Sequence, residues 1–268
     1  MKYILLFLCI LSLSCKYNVA NPVGTLKDYT AGSGKIYYVS SDAGPEQIVE
    51  ALKKNKHSLG KYKIAVTNSV NSDNILSNIT FVLTNNTYFD NVELDISKLT
   101  NEEIKEGAFS NAKNLRSVML SDKVTNIGKN AFSGCSSLNN IRLGDGLTEI
   151  SEGAFSNCVS LAFLSLDSSK LTTIGKNAFY ECSSLESIIL SASLTSIDNT
   201  AFSNCNKLSN VEYLGKENKP KNCKPFENGS TTTKKNLYLP NTNSTSDFSD
   251  FLGGSWNINP NGNKHIPS

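Results

Sequence analysis

An Ala-Phe pair recurs at Ala108-Phe109, Ala131-Phe132, Ala154-Phe155, Ala178-Phe179 and Ala201-Phe202, in steps of 23, 23, 24 and 23 residues. Other positions keep the same register. Ile104, Ile127, Ile150, Ile174 and Ile197 stand five before each Phe, and Leu115, Leu138, Leu161, Leu185 and Leu208 stand six after it. No single helix or strand has such a period. A stack of one supersecondary unit does, because each unit must bury its apolar edge on the next. The chain is therefore read as a solenoid.

Each repeated residue has a place in that stack. In the third unit, Leu147 to Lys170, Leu164 and Leu166 alternate and so share one face of a strand, as Leu161-x-x-Leu164-x-Leu166 requires. Side by side, such strands form a parallel ladder with rungs Val118/Leu120, Ile141/Leu143, Leu164/Leu166, Ile188/Leu190 and Val211/Tyr213. Leu147 and Ile150 line the return segment. The small Ala suits a closely packed turn, and the Phe fills the space between layers, each burial contributing ~1.5–3 kcal/mol. Gly or Asn before most of the Ala residues favours a short turn over a long helix. Irregular rungs extend the ladder at Ile64/Val66, Leu94/Ile96 and Leu237/Leu239, for eight in all, and Phe226 follows Phe202 by 24 residues behind Pro225. The segment 45–54 reads as a helix opened by Pro45, with Ile48, Val49 and Leu52 as its apolar stripe. Ile75, Ile79 and Val82 have helical spacing within 73–84.

These residues resemble the BspA-like, or treponemal-type, leucine-rich repeat family. Its pattern is Leu-x-x-Ile-x-x-x-Ala-Phe-x-x-Cys-x-x-Leu-x-x-Ile-x-Leu. The segment from Val124 to Leu143 matches it, departing only at Val124, where the pattern opens with Leu. The likeness is strong over 99–213 and weak over 60–98 and 214–256. It implies an α/β leucine-rich repeat solenoid with a parallel strand ladder and irregular caps. It also implies a surface role in adhesion to host matrix or to other cells. The expected organisation is a lipoprotein signal peptide at 1–14, a flexible tether at 15–35 and an N-terminal cap at 36–98. Five repeats follow at 99–215, then a C-terminal cap at 216–256 and a tail at 257–268.

The N-terminus carries the compartment. Met1-Lys2 precedes the apolar run Tyr3 to Leu11, too short for a stable membrane span and suited to a secretory leader. The run ends Leu11-Ser12-Leu13-Ser14-Cys15, which resembles a bacterial lipobox, although Ser12 stands where a Leu is usual. Cys15 is thus the expected lipidation site, placing the protein on the cell surface or outer membrane. Ordinary cleavage nearby would instead give a secreted protein. The polar, Gly-bearing segment after Cys15 would span ~25 Å as a coil. A net charge of +2 is too small to argue for nucleic acid.

Of the 7 Cys, Cys135, Cys158, Cys182 and Cys205 occupy one slot per repeat, filled by Ala112 in the first copy. A slot that accepts Cys or Ala is small and buried. Neighbouring rungs ~4.8 Å apart are within disulfide range, but side chains that point the same way are poorly aimed at each other. CxxC pairs and His partners for zinc are missing, so no metal or cofactor is expected. Cys223, in a Lys-rich loop with Lys216, Lys219, Lys221 and Lys224, is the thiol expected to be accessible. His57 and His265 are the only histidines, and no nucleophile or phosphate-loop motif occurs, so an enzyme is not expected.

A solenoid chooses its ligand with the outward positions of its ladder. Here these are Asp95, Met119, Arg142, Ser165, Ile189, Glu212 and Tyr238, and one step earlier Glu93, Ser117, Asn140, Phe163, Ser187, Asn210 and Asn236. Apolar groups at positions that should face water are the stronger hint. Met119, Asn140, Arg142, Phe163, Ile189, Glu212 and Tyr238 are the candidate ligand-binding residues, with Phe163 and Ile189 as the apolar centre. The expected protein is a monomeric, lipid-anchored module for a macromolecular, protein ligand. A structural envelope or secreted repeat protein with no host ligand is the second reading.

Overall fold

The computed structural model describes residues 27–31, 34–67, 73–168, 170–216, 220, 223–226, 235–240, 248, 251–253 and 256–260. Cys15, the leader, Lys219, Lys221 and His265 lie outside the described residues.

Each repeat contributes one two-residue return strand and one longer front strand. The return strands are β5 (Glu103–Ile104), β7 (Asn126–Ile127), β9 (Glu149–Ile150), β11 (Thr173–Ile174) and β13 (Ser196–Ile197), which pair in parallel in that order. The front strands of the repeats are β6 (Leu115–Met119), β8 (Asn140–Arg142), β10 (Phe163–Leu166), β12 (Ser187–Leu190) and β14 (Asn210–Tyr213). Before them stand β3 (Lys63–Ala65) and β4 (Val92–Asp95), and after them β15 (Lys235–Leu239) and β16 (Trp256–Pro260). All front pairings are parallel, and the register sets Met119 against Arg142, Ser165 against Ile189 and Glu212 against Tyr238, as the repeat spacing predicts. The chain is a leucine-rich repeat solenoid. Its front ladder forms two sheets, β3-β4-β6-β8 and β10-β12-β14-β15-β16, with no pairing between β8 and β10.

The turns between return and front strands carry a spine of rings. Phe109, Phe132, Phe155, Phe179 and Phe202 stack at 5.2, 5.2, 5.4 and 5.1 Å between centroids, and Phe226 extends the stack at 5.1 Å. Trp256 closes it edge-on at 5.5 Å. Two left-handed backbone positions flank each ring and explain the Gly/Asn pattern. Gly107, Asn130, Gly153 and Asn177 hold the first, and Asn111, Gly134, Asn157, Glu181 and Asn204 the second. Thr200 departs from the first. There the Asp198 carboxylate accepts the Thr200 amide and hydroxyl at 2.8 and 2.7 Å and shapes the turn instead.

The cysteine slot is more specific than a small cavity. The thiols of Cys135, Cys158, Cys182 and Cys205 donate to the carbonyls of Phe109, Phe132, Phe155 and Phe179 at 3.1, 3.3, 3.2 and 3.1 Å. Each thiol therefore ties its repeat to the one before. Ala112 opens the series because no Phe turn precedes it. All four cysteines are free and buried. On the return side, Thr125, Thr148, Thr172 and Thr195 form a matching column, each hydroxyl donating to the carbonyl of residue 102, 125, 148 or 172.

The N-terminal cap replaces Phe turns with helices. Helix α1 (Pro45–Leu59) has Pro45 at its first turn and ends at Gly60, whose φ of 71° and amide bond to the Lys56 carbonyl form a left-handed cap. It is longer than the expected 45–54. Its buried Asn55 accepts the Tyr37 amide and donates to the carbonyls of Tyr37 and Lys63. Helix α2 (Asp73–Asn85) buries Ile75, Leu76, Ile79, Val82 and Leu83, as the spacing implies.

Both ends correct the expected boundaries. β1 (Lys27–Ala31) pairs antiparallel with β2 (Gly34–Tyr38), so a tether cannot reach residue 35. Val39 then bridges Val66 and adds a rung before the first one expected. At the other end β16 makes residues 257–260 a rung, not tail, and Pro260 suits a strand that is the outermost of its sheet among the described residues.

Candidate functional site

The outward side chains of the front ladder form two columns, and their exposure differs along the stack. Met119 is 38% exposed, Asn140 and Arg142 are exposed, and Phe163, Ser165 and Tyr238 are half-buried. Two expected members are covered. Ile189 is 6% exposed and Glu212 5%, although the register puts both in the outward column. They share a recess of about 10 Å³ with Phe163, Ser187, Asn210 and Tyr238, room for at most one water. Phe163, Asn210 and Tyr238, on the same and neighbouring rungs ~4.8 Å apart, line that recess and close over Ile189 and Glu212. The pairing of Phe163 with Ile189 as an exposed apolar centre is therefore corrected. On this face the accessible apolar groups are Met119 and Phe163, while Ile141 and Leu143 on the inward side of the rung between them are half-buried.

The charge pattern divides at the same place. Around β3 to β8 the face is ionic: Lys61 meets Glu93 at 2.7 Å, Lys63 meets Asp95 at 3.8 Å and Arg142 meets Asp122 at 3.6 Å. These are exposed or partly exposed pairs of small energetic weight. From β12 to β16 the face is an amide ladder. The Nδ2 groups of Asn257, Asn236 and Asn210 donate in turn to Asn236 Oδ1, Asn210 Oδ1 and Ser187 Oγ at 3.3, 2.9 and 3.4 Å.

A second cleft, of about 400 Å³, lies beside β13 and is lined by Lys176, Asp198, Asn199 and Cys223 among others. Its one carboxylate, Asp198, is the group already bonded to Thr200. Cys223, half-buried there, is the one described cysteine that is not fully buried, and burial raises its thiol pKa. Burial pushes the Cys135 thiol up to about 12 and raises Cys158. The Cys182 thiol is raised by its hydrogen bond to Cys205, together with burial. Such thiols are poor nucleophiles. Lys224 donates its amide to Asn199 at 2.7 Å, and His57 is exposed near the end of α1. Among the described residues no three His, Cys, Asp or Glu side chains converge as metal ligands, and no helix is long and apolar enough to cross a membrane.

The model of the BspA type leucine rich repeat region matches residues 102–232 in six copies. Residues 102–232 are a BspA-type leucine-rich repeat region. Leucine-rich repeats are a general protein-interaction fold. A leucine rich cell surface protein from Faecalibacterium prausnitzii is 34% identical over 47% of this chain, with a TM-score of 0.45, and the match spans 33% of that protein. The chain thus spans about a third of that relative's length. The Treponema pallidum leucine rich repeat protein is 24% identical over 72% of this chain and 70% of its own, with a TM-score of 0.45. Among curated proteins no match was found.

Proposed function

We propose that this chain is a monomeric, lipid-anchored protein of the bacterial cell surface whose front ladder binds another protein in adhesion to host matrix or to other cells. The observation that carries the binding surface is the exposure of Met119 beside Arg142 and Asn140, with half-buried Phe163 on the next strand. Apolar groups within a polar, charged border have the anatomy of an interface. The sequence Ser14-Cys15 after an apolar run supports the anchor. Catalysis has no part in this reading, since the larger cleft offers a single carboxylate that its own turn already uses.

The test compares the full chain with a Met119→Asp, Phe163→Ser double variant, both checked for folding by circular dichroism. Beads coated with each are applied to immobilised extracellular-matrix proteins and to cultured cells. Adhesion by the parent chain and its loss in the folded variant are expected. Equal adhesion by both removes this face from consideration.

A further inference from the structure

Between β8 and β10 the layers of the solenoid are joined at the turn and at the return side, but the front strands themselves do not pair. On either side of those strands the layers are also joined by the hydroxyls of Ser160 and Ser168, which donate to the carbonyls of Ser136, Asp145 and Leu147. At the turn, Phe132 and Phe155 stack at 5.2 Å, and the amides of Asn130, Phe132 and Gly134 donate to the carbonyls of Glu152, Ala154 and Ser156. Cys158 donates to the Phe132 carbonyl. At the return side β7 pairs with β9, and Thr148 donates to the Thr125 carbonyl. At the front the ladder stops at β8 and resumes at β10.

The core registers the break. Val118, Leu120, Leu164, Leu166, Ile188 and Leu190 are buried, whereas Ile141 and Leu143, the inward residues of the β8 rung, are only half-buried. Local sequence accounts for it. Gly144, just after β8, lies so close to the preceding layer that a Cβ there would come within 2.1 Å of the Ser121 carbonyl oxygen, so β8 is drawn towards β6. Beyond β10 the loop from Leu166 to Leu171 holds the extra residue of the 24-residue step, where Leu143 to Leu147 has one fewer.

We propose that this seam is a hinge. The N-terminal and C-terminal halves pivot about the spine and the return sheet, and the front opens and closes between Arg142 and Phe163. Each half is stiffened by its own ladder, so the motion is confined to one layer boundary. Taken with the proposed binding face, on which this clause rests, a ligand that touches Met119 and Arg142 on one side and Phe163 on the other selects one hinge angle.

The amides that would cross the seam follow from the hydrogen bonds of intact rungs. Leu120 donates forward to the Arg142 carbonyl at 3.0 Å, and Leu214, one place further along its own rung, donates back to the Leu190 carbonyl at 3.1 Å. By that alternation Ile141 and Leu143 face β10, and Phe163 and Ser165 face β8. Hydrogen exchange on the full chain without any ligand tests the hinge apart from the binding face. The amides of Leu143, Phe163 and Ser165 are expected to exchange at least about tenfold faster than those of Ile189 and Glu212. The amides of Phe132, Gly134 and Ser151 in the same layers should be as slow as their counterparts Phe179, Glu181 and Gly175. Protection at the seam equal to that of β12 and β14 overturns the proposal. Fast exchange at both front and turn overturns it too, because the layer then unfolds locally without pivoting.

Discussion

Truncating Phe155 to Ala removes the ring at the middle of the spine. The ring is fully buried and stacks at 5.2 Å on Phe132 and 5.4 Å on Phe179, both within 1° of parallel. Burial of such a ring contributes ~1.5–3 kcal/mol and each aromatic pair ~0.5–1.5 more. A loss of about 4 kcal/mol is therefore expected, within the usual range for Phe→Ala in a core that cannot collapse. For a domain of this size that lowers Tm by about 8–16 °C. Phe226 keeps only one stacked ring and the edge of Trp256, and is 6% exposed, so its truncation should cost about 2 kcal/mol. Trp256 is the only tryptophan, so its fluorescence reports the C-terminal cap while far-ultraviolet circular dichroism reports the whole stack. Urea unfolding of Phe226→Ala should move the fluorescence transition ahead of the dichroism. Phe155→Ala should shift both. A negligible loss at Phe155, or equal losses of cooperativity at the two positions, refutes the spine as the source of interlayer stability.

Three further outcomes are expected. Glu181 stands at φ 58° where the other repeats have Asn or Gly, so Glu181→Asn should raise stability by about 0.5–1 kcal/mol in urea unfolding; a loss would show that its contact with the Tyr180 hydroxyl matters more. Burial holds the Cys135 thiol protonated from its ordinary 9.0 up to about 12, while the unfolded chain releases that proton. Stability is therefore intact below pH 9.0 and falls as pH rises towards 12, by up to about 1.4 kcal/mol per pH unit for each such thiol; a Cys135→Ala variant should show a shallower fall. Cys15→Ala should abolish partitioning into the detergent phase and release the protein in soluble form, since acyl chains would be the anchor, and unchanged partitioning would end the lipoprotein reading.

What was legible in the sequence was whatever repeats. The Ile, Phe, Cys and Leu columns and the front register are periodic, and the register of β6 with β8 and of β10 through β15 follows from them residue by residue. What depends on contacts between unlike segments was not legible. The β1–β2 hairpin and the β16 rung break the period, β16 following β15 by 21 residues at Ile258 and Leu237. Alternation assigned Ile189 and Glu212 to the outward face correctly, but exposure depends on the size of the neighbours on adjacent strands. The seam has the same apolar pattern as the intact rungs, and only the Gly144 contact and the extra residue after Leu166 mark it. Of the candidate site, Met119, Asn140 and Arg142 stand exposed, Phe163 and Tyr238 are half-buried, and Ile189 and Glu212 are covered.

Binding to another cell or to host matrix requires that the front ladder meet the outside. Protease applied to intact cells, followed by blotting for this chain, measures that directly. A surface-displayed solenoid predicts digestion in intact cells while a periplasmic marker survives. Full protection in intact cells, with digestion only after the envelope is breached, would contradict it.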